Sequence, residues 1–158
     1  MKKLIYLLLP LWVLVAACEK EEDDPFGETC TPTTGQLCTT IGSTTLSAPA
    51  SWRRIGTTNR FRIDFQSGQQ NLEIDIYVPD SVLYGNTYNF DSTRAVNTAV
   101  MTWFDGTNEW VSTTGSVTIT DRSNNLLDGQ FQGTIKKGTG SETMTVKASA
   151  FSKLPLVN

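Results

Sequence analysis

Histidine is absent from the 158 residues of this chain. Without an imidazole, the chain cannot build Ser-His-Asp or Cys-His catalytic sites, His-ligated zinc or imidazole acid–base chemistry at neutral pH. The sequence also lacks glycine-rich phosphate loops and the G-x-S-x-G turn of many hydrolases. We therefore expect a protein that is not an enzyme and that requires no cofactor.

Helical periodicity is the second thing that the sequence lacks, because no stretch of helix length keeps apolar residues at i, i+3 and i+4. Serine and threonine are abundant, and glycine and asparagine recur at short intervals. This pattern predicts an all-β fold, a single antiparallel β-meander over residues 39–158 that closes into a β-sandwich or small barrel. Strands are expected in 39–52, 61–65, 72–78, 86–90, 96–104, 109–113, 116–120, 129–135 and 142–151.

The clearest strand pair lies in 61–65 and 72–78, where apolar and polar residues alternate strictly. Alternation of this kind is typical of a sheet with one buried face. If residues 67–70 form the loop, Phe65 faces Leu72, and Arg62 faces Asp75 on the opposite side of the sheet. This register pairs apolar residues with each other on one face and opposite charges on the other, so we expect a hairpin here.

The amino terminus carries export signals. Lys2 and Lys3 precede an apolar run over residues 4–17, which ends in Val15-Ala16-Ala17-Cys18. As a helix, these roughly 14 residues would span about 21 Å, which is short of the ~30 Å hydrocarbon core of a membrane. The segment resembles the lipobox of bacterial lipoproteins, which implies cleavage of residues 1–17 and attachment of diacylglycerol to Cys18. An ordinary signal peptide with an unmodified cysteine is the alternative.

An acidic segment follows Cys18, since residues 19–24 contain five acidic residues and one lysine. Lys20-Glu21-Glu22 resembles the export signal of surface lipoproteins in the Bacteroidota, which implies an outer-membrane protein on the cell surface. A plain spacer and a periplasmic orientation are the alternatives. Loss of residues 1–17 leaves 11 basic and 16 acidic residues, a net charge of −5, of which −4 belongs to residues 19–24. The remaining domain is nearly neutral, which excludes a basic field for nucleic acid.

The other two cysteines, Cys30 and Cys38, bound a short segment rich in threonine, proline and glycine. In an exported chain such a pair indicates a disulfide loop, and free thiols are the alternative. With Cys18 lipidated, two thiols are too few for a Cys-only metal site. We assign residues 18–38 to the lipidated cysteine, a flexible tether and this loop.

Two tryptophans are the candidate ligand-binding residues. A hairpin that pairs Asp105 with Asn108 places Trp103 directly opposite Trp110, on one face of the sheet. Indoles on an exposed face could stack on sugar rings, whereas indoles on the inner face would belong to the core. Phe104 points the opposite way, so one of the two faces must be buried.

Two groups of oxygen-bearing side chains are weaker candidates. Asp64, Glu73 and Asp75 cluster on the β-hairpin, where a charged surface network, a cation site or a catalytic pair are the alternatives. The second group spans residues 121–128 and includes Asp121 and Asp128, which could form a calcium loop or a turn. For both groups, the structural alternative is favoured, and no metal site is expected.

Three motifs carry a broader resemblance: Gly-x-x-Tyr at 85–88, Gly-x-Val-x-Ile-x at 115–120 and Asp-Gly-Gln-Phe-x-Gly at 128–133. With the lipobox and the acidic tether, this layout resembles small Bacteroidota surface lipoproteins with a domain of unknown function. The resemblance implies an all-β, lipid-anchored envelope domain and supplies no catalytic residue. We expect it to bind a ligand, with glycan contact through Trp103 and Trp110. The alternative is an assembly subunit that docks on an envelope protein through a sheet edge.

Overall fold

A computed structural model describes residues 30–56, 59–78 and 85–158 of the chain. The predicted signal peptide, Cys18 and most of the tether lie outside the described residues. Every regular element in the described part is a strand, so the all-β prediction is confirmed. The nine strands are β1 (Gln36–Ile41), β2 (Thr44–Arg54), β3 (Arg60–Ser67), β4 (Gln70–Tyr77), β5 (Thr87–Phe90), β6 (Thr98–Phe104), β7 (Glu109–Ser123), β8 (Leu126–Lys137) and β9 (Thr143–Pro155).

The strands form a closed barrel in the order β1-β2-β3-β4-β6-β5-β7-β8-β9, and β1 pairs with β9 to close it. This arrangement corrects the prediction of a purely antiparallel meander, because β5 runs parallel to β6. β6 and β7 form a hairpin near their turn and diverge further on, and β5 lies between them there. Residues 91–97, which we call the crossover loop, connect β5 to β6 and bring Thr98 beside Asn89 and Ala99 beside Phe90.

Closure bears on the alternative function, an assembly subunit that docks through a sheet edge. Because β1 and β9 are hydrogen-bonded to each other, the described strands leave no open sheet edge. Docking by strand addition needs such an edge. The described part of the chain therefore offers no support for that mode of assembly.

The β3–β4 hairpin has the predicted register. Phe65 pairs with Leu72, and Arg62 pairs with Asp75. Phe65 and Leu72 are fully buried, whereas the charged residues of both strands lie on the outer face. Strict alternation specified this register because a slip of one residue would bring the charges into the core.

Other boundaries differ from the sequence prediction. Residues 39–52 were expected to be one strand, but a turn at Gly42 divides this region between β1 and β2. β1 begins at Gln36, so residues 36–38, assigned to the tether, belong to the barrel. A disulfide joins Cys30 to Cys38, with 5.5 Å between the Cα atoms, and attaches the end of the tether to β1.

Strand β7 is longer than predicted, because 109–113 and 116–120 are parts of a single strand with two register shifts against β8. One shift lies just before Gly115, which pairs with Gly133. A Cβ on Gly115 would overlap the Gln132 carbonyl oxygen and the Gly133 Cα atom. Gly115 begins the Gly-x-Val-x-Ile-x motif, and Gly133 ends the Asp-Gly-Gln-Phe-x-Gly motif. Both glycines are required for the close approach of β7 and β8, so their role is structural.

The core fills the inside of the barrel with side chains from all nine strands. Trp52, Phe65 and Phe151 are among the largest fully buried side chains. The described part of the chain contains no helix long and apolar enough to cross a membrane.

Candidate functional site

The structure places both candidate tryptophans inside the barrel. Trp103 and Trp110 are opposite each other, as the hairpin register predicts, but each is only 4% exposed. The hypothesis of an exposed indole platform is therefore wrong. The physical reason is that closure of the barrel turns inward the face of β6 that carries Met101 and Trp103, while Thr102 and Phe104 point outward. A small barrel needs the apolar area of two indoles to fill its interior.

The carboxylates of the β3–β4 hairpin form a charged network on the outer face. Arg62 is its centre: Nη1 lies 2.7 Å from Glu73 Oε2, and Nε and Nη2 each donate to Asp75 at 2.8 Å. Hydrogen bonding to Asp75 raises the pKa of the Arg62 guanidinium. A two-pronged pair of this kind fixes both side chains in one plane.

A second ion pair joins β2 to β3, where Arg53 Nε lies 3.2 Å from Asp64 Oδ2. Burial raises the pKa of the Asp64 carboxyl, and the nearby guanidinium groups of Arg53 and Arg62 oppose this shift. Arginines therefore neutralise the predicted acidic cluster, which forms a surface network.

The suspected calcium loop is a turn. Asn124 and Asn125 adopt positive φ angles of 50° and 62°, which suit a tight hairpin turn between β7 and β8. Asp128 accepts hydrogen bonds from the Ser152 hydroxyl and the Lys153 amide, both at 3.0 Å. Within residues 30–56, 59–78 and 85–158, no three acidic, histidine or cysteine side chains are grouped to hold a metal ion.

One concave feature of the charged face is a cavity of about 350 Å³, which we call the outer cavity. Its floor is the outer face of β3, β4 and β6, and its wall includes the crossover loop. Five of its lining residues are charged, two are uncharged and polar, and one is aromatic: Arg62, Glu73, Asp75, Arg94, Glu109, Asn71, Thr102 and Phe104.

Phe104 is the aromatic side of this cavity and is 40% exposed. Strand register places it between Asn71 on β4 and Glu109 on β7. The following turn is fixed by Asp105, which accepts the Thr107 and Asn108 amides at 2.8 and 2.6 Å and the Trp110 indole N–H at 3.0 Å. These bonds, above all the Asn108 amide, lower the pKa of Asp105.

The polar floor of the cavity is organised in advance. Asn71 Nδ2 donates to Glu73 Oε1 at 3.2 Å, and Glu73 and Asp75 both bind Arg62. A carboxylate has about four lone-pair positions, so both acids keep acceptor capacity after these bonds. Polar groups held in fixed orientations can bind hydroxyl groups without reorganisation.

Arg94 reaches the cavity from the crossover loop. Its backbone has φ = 57°, in the left-handed region that residues other than glycine rarely adopt. Asn97, in the same loop, has φ = 66°, and its amide donates to the Tyr77 carbonyl at 2.7 Å. The loop therefore folds back against β4 and places Arg94 beside the outer face.

Sequence reasoning found part of this site. It placed Asp64, Glu73 and Asp75 together and oriented Phe104 opposite to Trp103. It did not identify Phe104 or Glu109 as residues that line a cavity, although their neighbouring positions follow from the predicted β6–β7 register. Arg94 had no sequence signal, because its position depends on a loop without periodicity.

No protein-family model, curated protein or solved structure matches this chain. The geometry of the site and the signals in the sequence are therefore the grounds on which its function is proposed.

Proposed function

We propose that this chain is a non-catalytic, lipid-anchored protein of the outer membrane, exposed at the cell surface, that binds a neutral saccharide in the outer cavity. The observation that carries the proposal is the position of Phe104. This exposed ring lies beside a floor of hydrogen-bonding groups that are already held in place. The proposal keeps the ligand class expected from the sequence and moves the contact residue from the tryptophans to Phe104.

The chemistry of a sugar matches the two sides of this cavity. One face of a pyranose ring presents C–H groups, which pack on the flat face of an aromatic side chain. Its edge presents hydroxyl groups, which donate to carboxylates such as Glu73 and accept from amides and guanidinium groups such as those of Asn71 and Arg94. The volume of about 350 Å³ lies at the lower end of the ~300–1,000 Å³ range of small-molecule sites.

Charge favours a neutral ligand over an ionic one. The lining holds two arginines and three acids, and three of these five groups already form the Arg62 pairs. An ion would have to compete with these short bonds, whereas hydroxyl groups use the positions that remain. Because both β4 carboxylates are bound to a guanidinium, they suit hydrogen bonding rather than proton transfer.

The proposed location at the outer membrane is inferred from the sequence of residues 1–24, which lie before the described part of the chain. Attachment at Cys18 is tested by growth with radiolabelled palmitate, which should label the full chain but not its Cys18→Ala variant. Protease treatment of intact cells then tests surface exposure. A labelled domain that survives this treatment faces the periplasm, and this result would overturn the surface assignment.

The binding proposal is tested with the full-length protein in lipid nanodiscs. Saturation-transfer NMR with cellobiose, maltose, xylobiose and chitobiose should show transfer to at least one disaccharide. Phe104→Leu should weaken that binding about tenfold, because it keeps an apolar group and removes the aromatic face. Phe104→Trp should retain it.

The control is Phe131→Leu, which shortens an aromatic residue that is buried in the barrel and does not line the outer cavity. It should lower thermal stability and leave saccharide binding intact in the protein that remains folded. The proposal fails if no disaccharide binds the wild type, or if Phe104→Leu binds as well as the wild type.

A further inference from the structure

A second cavity lies on the other side of the crossover loop, at the end of the barrel where β2 ends and β3 begins. We call it the rim cavity, and its volume is about 480 Å³. Unlike the outer cavity, it is mostly apolar, with Ile55, Val78 and Val96 in its walls. Val96 is 60% exposed, the largest exposed fraction among the large apolar residues of the described chain.

Among the described residues, the charged groups that line the rim cavity have one sign. They are Arg60 and Arg94. Arg60 Nε lies 3.9 Å from Asp75 Oδ1, and it is buried without a hydrogen-bond acceptor among the described residues. Asp75 is at the same time bound closely by Arg62, so it neutralises Arg60 only in part.

The backbone keeps these groups in place. Arg60 pairs with Tyr77 across β3 and β4, so both project from the outer face at the rim. The Val78 amide donates to the Asn59 carbonyl at 2.9 Å, and the Asn97 amide donates to the Tyr77 carbonyl at 2.7 Å. The turn before β3, the end of β4 and the crossover loop are thus bonded together around the cavity.

We propose that the rim cavity binds a single-chain amphiphile with an anionic head group. The apolar chain would pack against Ile55, Val78 and Val96, and the head group would lie between Arg60 and Arg94. Val96, the exposed wall, loses contact with water when such a chain binds, and the guanidinium groups of Arg60 and Arg94 provide hydrogen bonds that an anionic oxygen can accept. This site shares Arg94 with the saccharide site, but Arg60 and the apolar walls belong to the rim cavity alone.

Photo-crosslinking of the full chain in membranes from expressing cells tests this proposal. The probes are decanoate and decyltrimethylammonium, each with a diazirine in the middle of the chain, so they share an apolar body and differ in head-group charge. Decanoate should label peptides that line the rim cavity, and unlabelled decanoate should suppress this labelling. Decyltrimethylammonium should label them at least about fivefold less.

Variants of Val96 separate the two parts of the interaction. Val96→Glu removes an apolar wall and adds a like charge beside the head group, so decanoate labelling should fall about tenfold. Val96→Lys removes the same wall but adds a cation, and it should keep more of the labelling than Val96→Glu. Because Val96 is exposed, neither variant should unfold the barrel.

The matched control is Val157→Glu, since Val157 is 38% exposed and does not line the rim cavity. It should leave decanoate labelling unchanged, as should Phe104→Leu. The proposal is overturned if the two probes label the cavity equally, if Val96→Glu labels like the wild type, or if no labelled peptide comes from the rim. Failure of saccharide binding would not affect this result.

Discussion

Trp103 and Trp110 face each other across the β6–β7 hairpin, with ring centroids 6.2 Å apart and planes tilted by 36°. The two side chains are equally buried, but only one of the two indole N–H groups forms a hydrogen bond. Trp110 donates its indole N–H to Asp105 at 3.0 Å, whereas Trp103 Nε1 has no hydrogen-bond partner in the described structure. A buried donor without an acceptor costs free energy that a bonded donor does not.

The first prediction compares the two indoles by the same substitution. Trp110→Phe and Trp103→Phe remove similar volume, but only Trp110→Phe breaks a hydrogen bond to a charged group. We expect Trp110→Phe to lower the free energy of unfolding by about 1–3 kcal/mol more than Trp103→Phe does. Urea unfolding followed by circular dichroism measures both values. Equal losses, or a larger loss in Trp103→Phe, would contradict the bonding pattern.

The strand pairing was the most predictable part of this fold. Alternation over 61–65 and 72–78 defined the β3–β4 register, and the Asp105–Asn108 turn placed Trp103 opposite Trp110. Both inferences depend only on neighbours in sequence and on the two-residue period of a strand. Both were correct because the spacing of residues around each turn determines which residues pair across the hairpin.

The face of β6 that becomes the core was not determined by local spacing. Apolar residues occur on both faces, since Trp103 and Phe104 are adjacent, and only closure of the barrel decides which side is inside. The position of β5 depends on closure in the same way, because it fills the gap where β6 and β7 diverge. The outer cavity needs Arg94 from the crossover loop, and loop conformation has no periodic signature.

The second prediction concerns the loss of stability at low pH that the Asp105 carboxylate causes. Hydrogen bonds to Asp105 lower its pKa in the folded state, so the folded protein holds the carboxylate form more strongly than the unfolded chain does. This stabilisation is complete above the unfolded pKa of about 3.9 and is lost as the pH falls below it, toward the folded pKa. Asp105→Asn should therefore be less stable than the wild type at pH 7, by no more than about 0.5–1 kcal/mol, because solvent screens the contacts of a partly exposed carboxylate.

The difference between the wild type and Asp105→Asn should narrow as the pH is lowered from about 5 to 2. Asparagine keeps an acceptor oxygen and does not titrate, so the narrowing reports the Asp105 carboxylate itself. Urea unfolding of both proteins at a series of pH values provides the measurement. A difference that stays constant or widens with acid would mean that the folded state does not favour the ionised form.

The third prediction concerns the close approach of β7 and β8. Gly115→Ala should lower the free energy of unfolding by about 2–4 kcal/mol, because the new methyl group meets the backbone of Gln132 and Gly133. Gly68→Ala is the matched control, since Gly68 has φ = 61° and open space around its Cα atom. It should cost about 1 kcal/mol, from backbone conformation alone. Thermal and urea unfolding should rank the variants in this order, and the reverse order would reject steric contact as the cause.

The last prediction concerns Arg94, the residue that lines both cavities. Its left-handed backbone costs about 1–2 kcal/mol in a residue other than glycine, and glycine removes this cost while adding about 0.5–1 kcal/mol of chain entropy. We expect Arg94→Gly to be as stable as the wild type or more stable by up to about 1 kcal/mol, and to bind decanoate and disaccharides more weakly. Strained backbone at a residue that lines two cavities suggests a binding role, and the variant tests this inference.

Asn97→Gly is the control for Arg94→Gly, because Asn97 has φ = 66° in the same crossover loop and lines neither cavity. Asparagine tolerates the left-handed region better than arginine does, so the gain in stability should be smaller. Both ligands should bind Asn97→Gly as they bind the wild type. If Arg94→Gly destabilises the barrel, the backbone conformation is not strained there. If it binds both ligands normally, the Arg94 guanidinium contributes to neither cavity.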